Sequence, residues 1–178
     1  MKLSLPAIAI AAGIVITNAA TAAETQLVQP KSLVADTSLS KAALNKLTLA
    51  ALRYDTFWNT GDESWAKLAL APNFVDHTLP AGRPQGPSGA ILASKTFRAA
   101  VPDLSCEVEQ MIATGNRVTA FLHFRGHFTG TFKGRAGQGQ AVDFIAIDIY
   151  GVQDGVIVED WHLEDNLTLM QQFGMVGN

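Results

Sequence analysis

The sequence predicts a single α+β domain in which three helices pack against one face of a curved antiparallel sheet. The chain has 178 residues, a length typical of one domain, and 48% of them are hydrophobic, enough for an ordinary core. Apolar residues recur at helical spacing up to Ala100 and alternate with polar ones after Leu104. Because the helices come first and the strands follow, the order favours segregated layers over alternating β and α units.

The first 22 residues are predicted to be a signal peptide. Lys2 precedes the uncharged run Leu3–Ile16, and Ala20-Thr21-Ala22 forms a small-residue cleavage pattern. The run is shorter than the about 20 residues of a membrane span, although an uncleaved anchor stays open as the alternative. We therefore expect a protein that is exported to the periplasm or secreted. Its expected organisation is a signal peptide over 1–22, a flexible lead-in over 23–37 and a folded domain over 38–178.

Three helices are predicted in the first half of the domain. Ser38 or Ser40 can cap the first, which ends at Asn59-Thr60-Gly61, and Asp62 can cap a short second helix that ends at Pro72. The third is expected over about 90–100, since the residue before Pro102 resists helical geometry. Residues 73–89 hold three prolines and three glycines and are predicted to be a loop, with a further short strand near Phe74 left open.

Four strands are predicted after Leu104, because β-branched and aromatic residues become frequent there and alternate with polar ones. Gly115-Asn116 and Asp154-Gly155 fit two-residue hairpin turns, whereas residues 133–140 form a longer loop. Hairpin connections make neighbouring strands antiparallel. The expected strands are Ser105–Thr114, Arg117–Phe132, Ala141–Val152 and Val156–Thr168.

Charge, cysteine content and motifs exclude several classes of function. The net charge of −3 gives no basic surface for nucleic acid, and a small uncharged or cationic partner remains open. Cys106 is the only cysteine, which excludes an intramolecular disulfide and a zinc site built on paired thiolates. The motifs of serine hydrolases, nucleotide-binding proteins and zinc proteases do not occur in the sequence.

The last predicted hairpin gives the sharpest chemical signal. With Asp154-Gly155 as a two-residue turn, Asp148 pairs with Trp161 and Phe144 pairs with Asp165, so both carboxylates share one face with Ala146 and Leu163. Burial among these apolar side chains would raise the proton affinity of each carboxylate. Ideal strands separate the two by about 13 Å, so they would line opposite ends of one pocket.

Two alternatives to this arrangement stay open. Asp165 can instead cap a C-terminal helix that starts at Asn166. A one-residue change of register would move the carboxylates of the two strands to opposite faces.

Among the histidines, His77 is the strongest candidate, because it lies in the irregular segment 73–89, where polar groups can be aimed into a cleft. His123 and His127 are four residues apart on a strand, which places their rings about 13 Å apart and makes a shared metal ion unexpected. His162 falls on the face opposite Asp165 and carries little weight.

Three stretches of the chain match a known pattern. They are Asn73–His77 followed by Gly86-Pro87, then Arg125–Gly134, and then Asp154–Trp161 continuing through Asp165 to Gly174. Together they resemble the SnoaL-like polyketide cyclase, or ester cyclase, family over about residues 45–175. The resemblance implies the NTF2-like fold, a cone of curved sheet and three helices around an apolar cavity, in agreement with the element order above.

The resemblance also implies a chemistry. Family cyclases use an aspartate shortly after the tryptophan of the last strand as general acid and base in an intramolecular aldol closure, and by position that residue is Asp165. A carbon between two carbonyls is already acidic, so one carboxylate in an apolar cavity suffices and no metal or organic cofactor is implied. Two departures affect the family's histidines: Asp148 replaces one, and Phe128 replaces another, with His127 one position earlier. Because a carboxylate donates a hydrogen bond only when protonated, the substrate or the reaction is expected to differ.

The sequence therefore predicts an exported, cofactor-independent cyclase-type enzyme for a hydrophobic carbonyl compound, with Asp165 as its catalytic residue. A non-catalytic module that holds a lipophilic ligand, and a hydratase or epoxide-opening enzyme, remain as alternatives. The apolar outer face carrying Ile145, Ile147 and Ile149 predicts a homodimer, whereas no contact with nucleic acid, or with a membrane after signal removal, is expected. The expected substrate-binding residues are Asp148, His77, Trp161, Trp58, Phe144 and Leu163.

Overall fold

Helices cover one face of a six-stranded sheet in the computed structural model, which describes residues 26–177. The predicted signal peptide lies outside the described residues. The α+β class and the order of three helices before a curved sheet are confirmed. The elements are β1 (Leu33–Ala35), α1 (Lys41–Thr60), α2 (Glu63–Ala69), β2 (Leu70–Asp76), α3 (Pro87–Ala100), β3 (Ser105–Thr114), β4 (Arg117–Phe128), β5 (Thr131–Phe132), β6 (Arg135–Ala136), β7 (Gln140–Gln153), β8 (Val156–Glu164) and α4 (Asn166–Gln172).

The helix ends follow the capping residues in the sequence. The Ser40 side chain accepts a hydrogen bond from the backbone N–H of Ala43, and α1 ends at Gly61, whose φ of 76° suits a residue without a Cβ. Asp62 caps α2 through the backbone N–H of Ser64. Helix α3 begins at Pro87, earlier than predicted, because proline's fixed φ and missing N–H are tolerated in the first helical turn.

The main sheet has the strand order β1-β3-β4-β7-β8-β2. Its central pairs are antiparallel, as predicted, but the edge strands β1 and β2 each run parallel to their neighbours. The open expectation of a strand near Phe74 is confirmed by β2, which includes Pro72. Proline is compatible with a strand at the edge of a sheet, because one side of that strand needs no N–H for pairing.

The expected flexible lead-in over 23–37 is wrong from residue 27 onward. Strand β1 lies in this segment and pairs with β3. Leu27 is only 7% exposed, and the Val28 backbone N–H donates to Thr56 Oγ1 at 3.0 Å. Pairing with β3 and burial of an apolar side chain against the core offset the entropy of ordering the segment.

The hairpin between β7 and β8 decides which side chains face the helices. Asp154 and Gly155 have φ values of 52° and 83°, and Gln153 pairs with Val156, so the predicted two-residue turn is confirmed. Immediately after it, Val152 pairs with Ile157 and Gly151 with Glu159, which leaves Val158 as an extra residue in a β-bulge. The predicted register is therefore wrong by one residue for the rest of the hairpin: Asp148 pairs with His162, not with Trp161.

Within residues 26–177, no helix covers the row of apolar side chains on the outer face of the sheet. Ile145, Ile147 and Ile149 are 41%, 38% and 38% exposed and form an apolar row along β7. The predicted homodimer would use this row and stays a prediction. No helix in residues 26–177 is long and apolar enough to cross a membrane.

Candidate active site

A cavity of about 780 Å³ lies between the inner face of the sheet and helices α1 and α3. Most of its wall is apolar, and aromatic rings pack against one another there: Phe124 stacks on Phe144 with a centroid distance of 5.1 Å, and Trp58 meets Phe124 edge-on at 6.1 Å. Trp58 and Phe144 thus line the cavity as predicted. Other apolar lining residues are Tyr54, Ala90, Leu92, Ala93, Phe97, Leu104, Ala146, Leu169 and Met170.

One end of the cavity wall is polar and rich in carboxyl groups. Asp148 comes from β7, Asp160 and His162 from β8, and Asp76 from the end of β2. Asp148 and His162 are direct cross-strand partners, so their side chains are neighbours on the inner face. No lysine or arginine in residues 26–177 forms an ion pair with these carboxyl groups, although Arg83 and Lys133 also line the cavity, and His162 lies within 4 Å of Asp76 and Asp160.

Asp148 is the group that this environment makes suitable for proton transfer near neutral pH. It is 5% exposed, and its Oδ2 lies 2.8 Å from the Tyr150 hydroxyl. Burial raises the pKa of Asp148 to about 6, while His162 and the Tyr150 hydrogen bond act in the opposite direction. A carboxyl with a pKa close to the working pH is an efficient general base.

Asp160 differs from Asp148 in its protonation. Burial, with the charges of Asp148, Asp76 and Asp55 adding to it, raises the pKa of Asp160 well above its usual range. Its Oδ1 is buried without a hydrogen-bond partner among the described residues. A buried carboxyl that keeps its proton can act as the acid beside a neighbouring carboxylate that acts as the base.

His162 is held by the loop that follows β2. Thr78 Oγ1 lies 3.0 Å from His162 Nδ1, accepts a hydrogen bond from the His162 backbone N–H and donates to Asp76 Oδ1 at 3.0 Å. Since the single Thr78 hydroxyl hydrogen is used by Asp76, the contact with the ring requires a hydrogen on Nδ1. This assignment leaves Nε2 as the ring nitrogen that is free for a ligand.

Asp165, the predicted catalytic residue, does not line the cavity. It precedes α4, where its side chain accepts hydrogen bonds from the backbone N–H of Thr168 at 3.1 Å and from Thr168 Oγ1 at 2.7 Å. These two hydrogen bonds lower the pKa of Asp165. The prediction that Asp165 sits in an apolar chamber is therefore wrong, and the helix-capping alternative is confirmed.

Three predicted binding residues also lie away from the cavity interior. His77 stacks on Trp161 with a ring distance of 4.2 Å, and Glu159 Oε1 lies 3.4 Å from His77 Nε2. Arg117 lies over the same Trp161 ring and pairs with Glu159, so this aromatic and charged cluster belongs to the outer face. Leu163 borders the cavity but is 75% exposed. The bulge at Val158 explains the placement of Trp161 and Leu163, because it turns odd-numbered residues of β8 outward.

The same bulge explains why the sequence reasoning missed Asp160 and His162. Gly151, which lies opposite the bulge, was the feature of the sequence that could have indicated it. An isolated glycine within a strand often marks a bulge or a place where another group approaches the backbone closely. A Cβ at Gly151 would clash with the Arg117 guanidinium. Glycine at this position thus leaves room for the ion pair between Arg117 and Glu159 beside the irregular register.

Asp148, Asp160 and His162 also offer ligand atoms within 4.8 Å of one another. Neighbouring ligands of one ion lie about 3–3.5 Å apart when each is about 2.1 Å from the metal. His162 Nδ1 lies 3.9 Å from Asp160 Oδ2 and is already 3.0 Å from Thr78, and Asp148 Oδ2 is occupied by Tyr150. A metal ion would therefore have to use Asp148 Oδ1 and His162 Nε2, the atoms that these contacts leave open.

Known structures define the class to which this fold belongs. The crystal structure of a protein from Bacillus cereus ATCC 10987 is 43% identical, covers 85% of this chain and 96% of that one, and superposes with a TM-score of 0.79. IdmH from Streptomyces antibioticus is 26% identical over 72% of this chain and 98% of its own, with a TM-score of 0.65. Each is described as a "putative polyketide cyclase". The fold is that of the NTF2-like class.

The sequence assigns the family. The SnoaL-like polyketide cyclase profile matches residues 48–173, most of the described domain, and the chain belongs to this family. TsrD from Streptomyces laurentii shares the fold at 23% identity over 78% of this chain and all of its own, with a TM-score of 0.68. A search of curated proteins finds no match.

Proposed function

We propose that the protein is a cofactor-independent cyclase-type enzyme that closes a ring in a hydrophobic carbonyl compound, with Asp148 as the general base. The observation that carries the proposal is the cluster of Asp148, Asp160 and His162 at the polar end of an apolar cavity. Membership of the SnoaL-like polyketide cyclase family supports a cyclase-type reaction. The residues assigned here differ from the sequence prediction, because Asp165 lies outside the cavity.

The reaction would take one proton from a carbon of the substrate and give one proton to an oxygen of the same molecule. Ionised Asp148 takes a proton from a carbon between two carbonyl groups, and the electron pair forms a carbon–carbon bond to a second carbonyl carbon of the same molecule. Protonated Asp160 gives a proton to the oxygen of that second carbonyl, which becomes a hydroxyl. The proton held by Asp148 then restores the donor, so substrate and product are isomers.

The cavity wall supports a substrate that is apolar and lacks a negative charge at its reacting end. Aromatic side chains such as Trp58, Phe124 and Phe144 would contact the body of the substrate, whereas Asp76, Asp148 and Asp160 would repel an anion. The negative charge of the enolate passes to the second carbonyl oxygen when the carbon–carbon bond forms, and the donated proton neutralises it there. Next to these three carboxyl groups a neutral carbonyl fits better than a carboxylate, whereas Arg83 and Lys133 in the same cavity wall are compatible with an acid group in another part of the substrate.

The test is ring closure by the purified protein. A panel of aromatic poly-β-carbonyl esters is incubated with it, and the products are separated by liquid chromatography with mass detection. We expect a product of unchanged mass, or one lighter by a water molecule, that forms faster than in protein-free buffer. Asp148→Asn should abolish the acceleration while ligand binding, followed by quenching of tryptophan fluorescence, persists. Equal rates with Asp148→Asn would contradict the assignment of the base.

Non-catalytic binding of a lipophilic molecule is the second candidate. The position of Asp165 favours it, because the aspartate that the family resemblance assigns to catalysis is a helix cap here. A binder would hold ligands in the cavity without changing them. Binding of the esters by the wild-type protein without turnover of any of them would favour this function. Addition of water to an alkene, or opening of an epoxide by water, would instead favour the hydratase or epoxide-opening alternative.

We also propose export and dimer formation. The uncharged run Leu3–Ile16 and the cleavage pattern at Ala20-Thr21-Ala22 support export to the periplasm or secretion, and the row of Ile145, Ile147 and Ile149 supports a homodimer. Mass spectrometry of the protein from fractionated cells should find a chain that begins after Ala22. Size-exclusion chromatography with light scattering should give twice the chain mass. An intact cytoplasmic chain, or a monomer, would contradict the respective proposal.

A further inference from the structure

A chain of hydrogen-bonding groups connects the proposed base to the interior of α1. The Tyr150 hydroxyl oxygen lies 2.7 Å from Asp55 Oδ1 and 2.8 Å from Asp148 Oδ2. Asp55 is 0% exposed, and Tyr150 is fully buried as well. Asp55 does not line the cavity, so substrate does not reach it.

Counting hydrogens limits the protonation of this chain. A tyrosine hydroxyl has one hydrogen and can donate it to only one of two carboxylates. The other carboxyl must then carry a proton and donate it to the Tyr150 oxygen, because two unprotonated oxygens at this distance would repel each other. One of Asp55 and Asp148 is therefore neutral whenever both contacts are formed.

The surroundings decide which of the two is neutral. Asp55 Oδ2 is buried without a partner among the described residues, and an ionised carboxylate in such a place would be costly. Asp148 borders the cavity and has His162 as its cross-strand partner. The proton therefore belongs on Asp55, and burial, together with the charge of Asp148, acts in the same direction on the pKa of Asp55.

We propose that Asp55 is a permanently protonated positioning residue that, through Tyr150, orients Asp148 and stabilises its ionised form. Asp55 donates to the Tyr150 oxygen, and Tyr150 donates to Asp148 Oδ2, so both hydrogen bonds point toward the anion. This direction leaves Asp148 Oδ1 as the oxygen that accepts a proton from substrate. The role in catalysis rests on the proposed function, whereas the protonation of Asp55 does not.

Several other titratable or charged groups act on this chain. Asp160 and His162 on β8 and Asp76 on β2 act on Asp148 or Tyr150, as does Glu164 at the end of β8. Cys106 on β3 lies close enough to be affected by the charges of Asp55 and Asp148. Variants of Asp55 and Tyr150 must therefore be compared in proteins in which none of these other residues is substituted.

Infrared spectroscopy tests the protonation directly, because the carbonyl stretch of a protonated carboxyl is distinct from the bands of a carboxylate. The wild-type spectrum minus that of Asp55→Asn should contain a protonated-carboxyl band from pH 5 to pH 9. Asp160→Asn identifies the band of the second neutral carboxyl, and Asp148→Asn should leave the Asp55 band in place. A difference spectrum for Asp55→Asn without this band, or its loss in Asp148→Asn, would overturn the proposal.

Kinetics test the positioning role. The amide of Asp55→Asn can still donate to Tyr150, so this variant should keep the acid limb of kcat/KM at the wild-type pH. Tyr150→Phe removes a hydrogen bond to a charged group and should move that limb upward by about one pH unit. The Tyr150→Phe rate should recover at pH 9. A rate loss that does not depend on pH, with the native circular dichroism spectrum retained, would contradict the positioning role. If Asp148→Asn keeps full activity while the Asp55 band is present, the proposed function fails and the protonation of Asp55 stands.

Discussion

Asp148 and Asp165 are the same kind of residue on neighbouring elements, yet their surroundings push their pKa values in opposite directions. Asp148 is buried at the polar end of the cavity, where loss of water raises its pKa to about 6. Asp165 caps α4, where hydrogen bonds from Thr168 lower its pKa. The comparison teaches that position in the fold, not residue type or closeness to a sequence motif, determines which aspartate can exchange protons near neutral pH.

The largest expected effect separates the two residues by activity. Asp148→Asn removes the base while keeping the shape of the side chain, and should lower kcat/KM by about 10²–10⁴-fold, the usual contribution of general acid–base catalysis. Asp165→Asn is the matched control and should change the rate by less than about threefold, because it removes no group from the cavity. Steady-state rates on the same ester decide the matter, and the reverse order would restore Asp165 as the catalytic residue.

The pH dependence of the rate sharpens the comparison. Asp148 acts as a base only when ionised, so kcat/KM should fall as the pH is lowered through about 6, the raised pKa of Asp148. Asp165→Asn should leave this limb unchanged, since the lowered pKa of Asp165 places its titration at more acidic pH. An unchanged rate down to pH 4 would argue against Asp148.

Stability should respond to pH in opposite ways at the two sites. Asp148 has a raised folded-state pKa, so the folded state binds the proton more tightly and this residue lowers stability as the pH rises from about 4 to about 6. Asp165 has a lowered folded-state pKa, so its contribution is present above its unfolded pKa and is lost as the pH falls through the folded value. Urea denaturation of each Asn variant against wild type measures the Asp148 contribution between pH 4 and pH 7 and the Asp165 contribution below about pH 4.

In that experiment, Asp148→Asn should gain stability relative to wild type as the pH rises from 4 to 7, whereas the deficit of Asp165→Asn relative to wild type should shrink as the pH falls below about 4. An Asp148→Asn difference that stays constant with pH would show that the Asp148 pKa is not raised in the folded protein.

The smallest expected effect concerns metal ions. Because Asp148, Asp160 and His162 are assigned to proton exchange, treatment with EDTA followed by desalting should leave kcat/KM unchanged within about twofold. A loss of activity that Zn²⁺ or Mn²⁺ restores would make these three residues a metal centre and would remove the basis for cofactor-independent chemistry.

Much of the fold was predictable because it depends on local signals. The cap at Ser40, the stop at Gly61 and the turn at Asp154-Gly155 are set by residues within a few positions of where they act. The site was less predictable, since one bulge at Val158 exchanged the inward and outward faces of β8. The inward orientation of Asp148 was predicted correctly, because the side chains of its strand, β7, face the sides that the sequence predicted.

The sequence by itself determined the three helices and the four central strands, the apolar character of the interior and the family, because periodicity and motifs are properties of neighbouring residues. Only the tertiary structure decided that Asp160 and His162 join Asp148, that Asp165 caps a helix, and that Asp55 meets Tyr150 across the core. These outcomes depend on strand register and on contacts between residues far apart in the chain. A single extra residue in one strand reverses the facing of all side chains beyond it, and the one signal for it in the sequence, Gly151, lies on the partner strand.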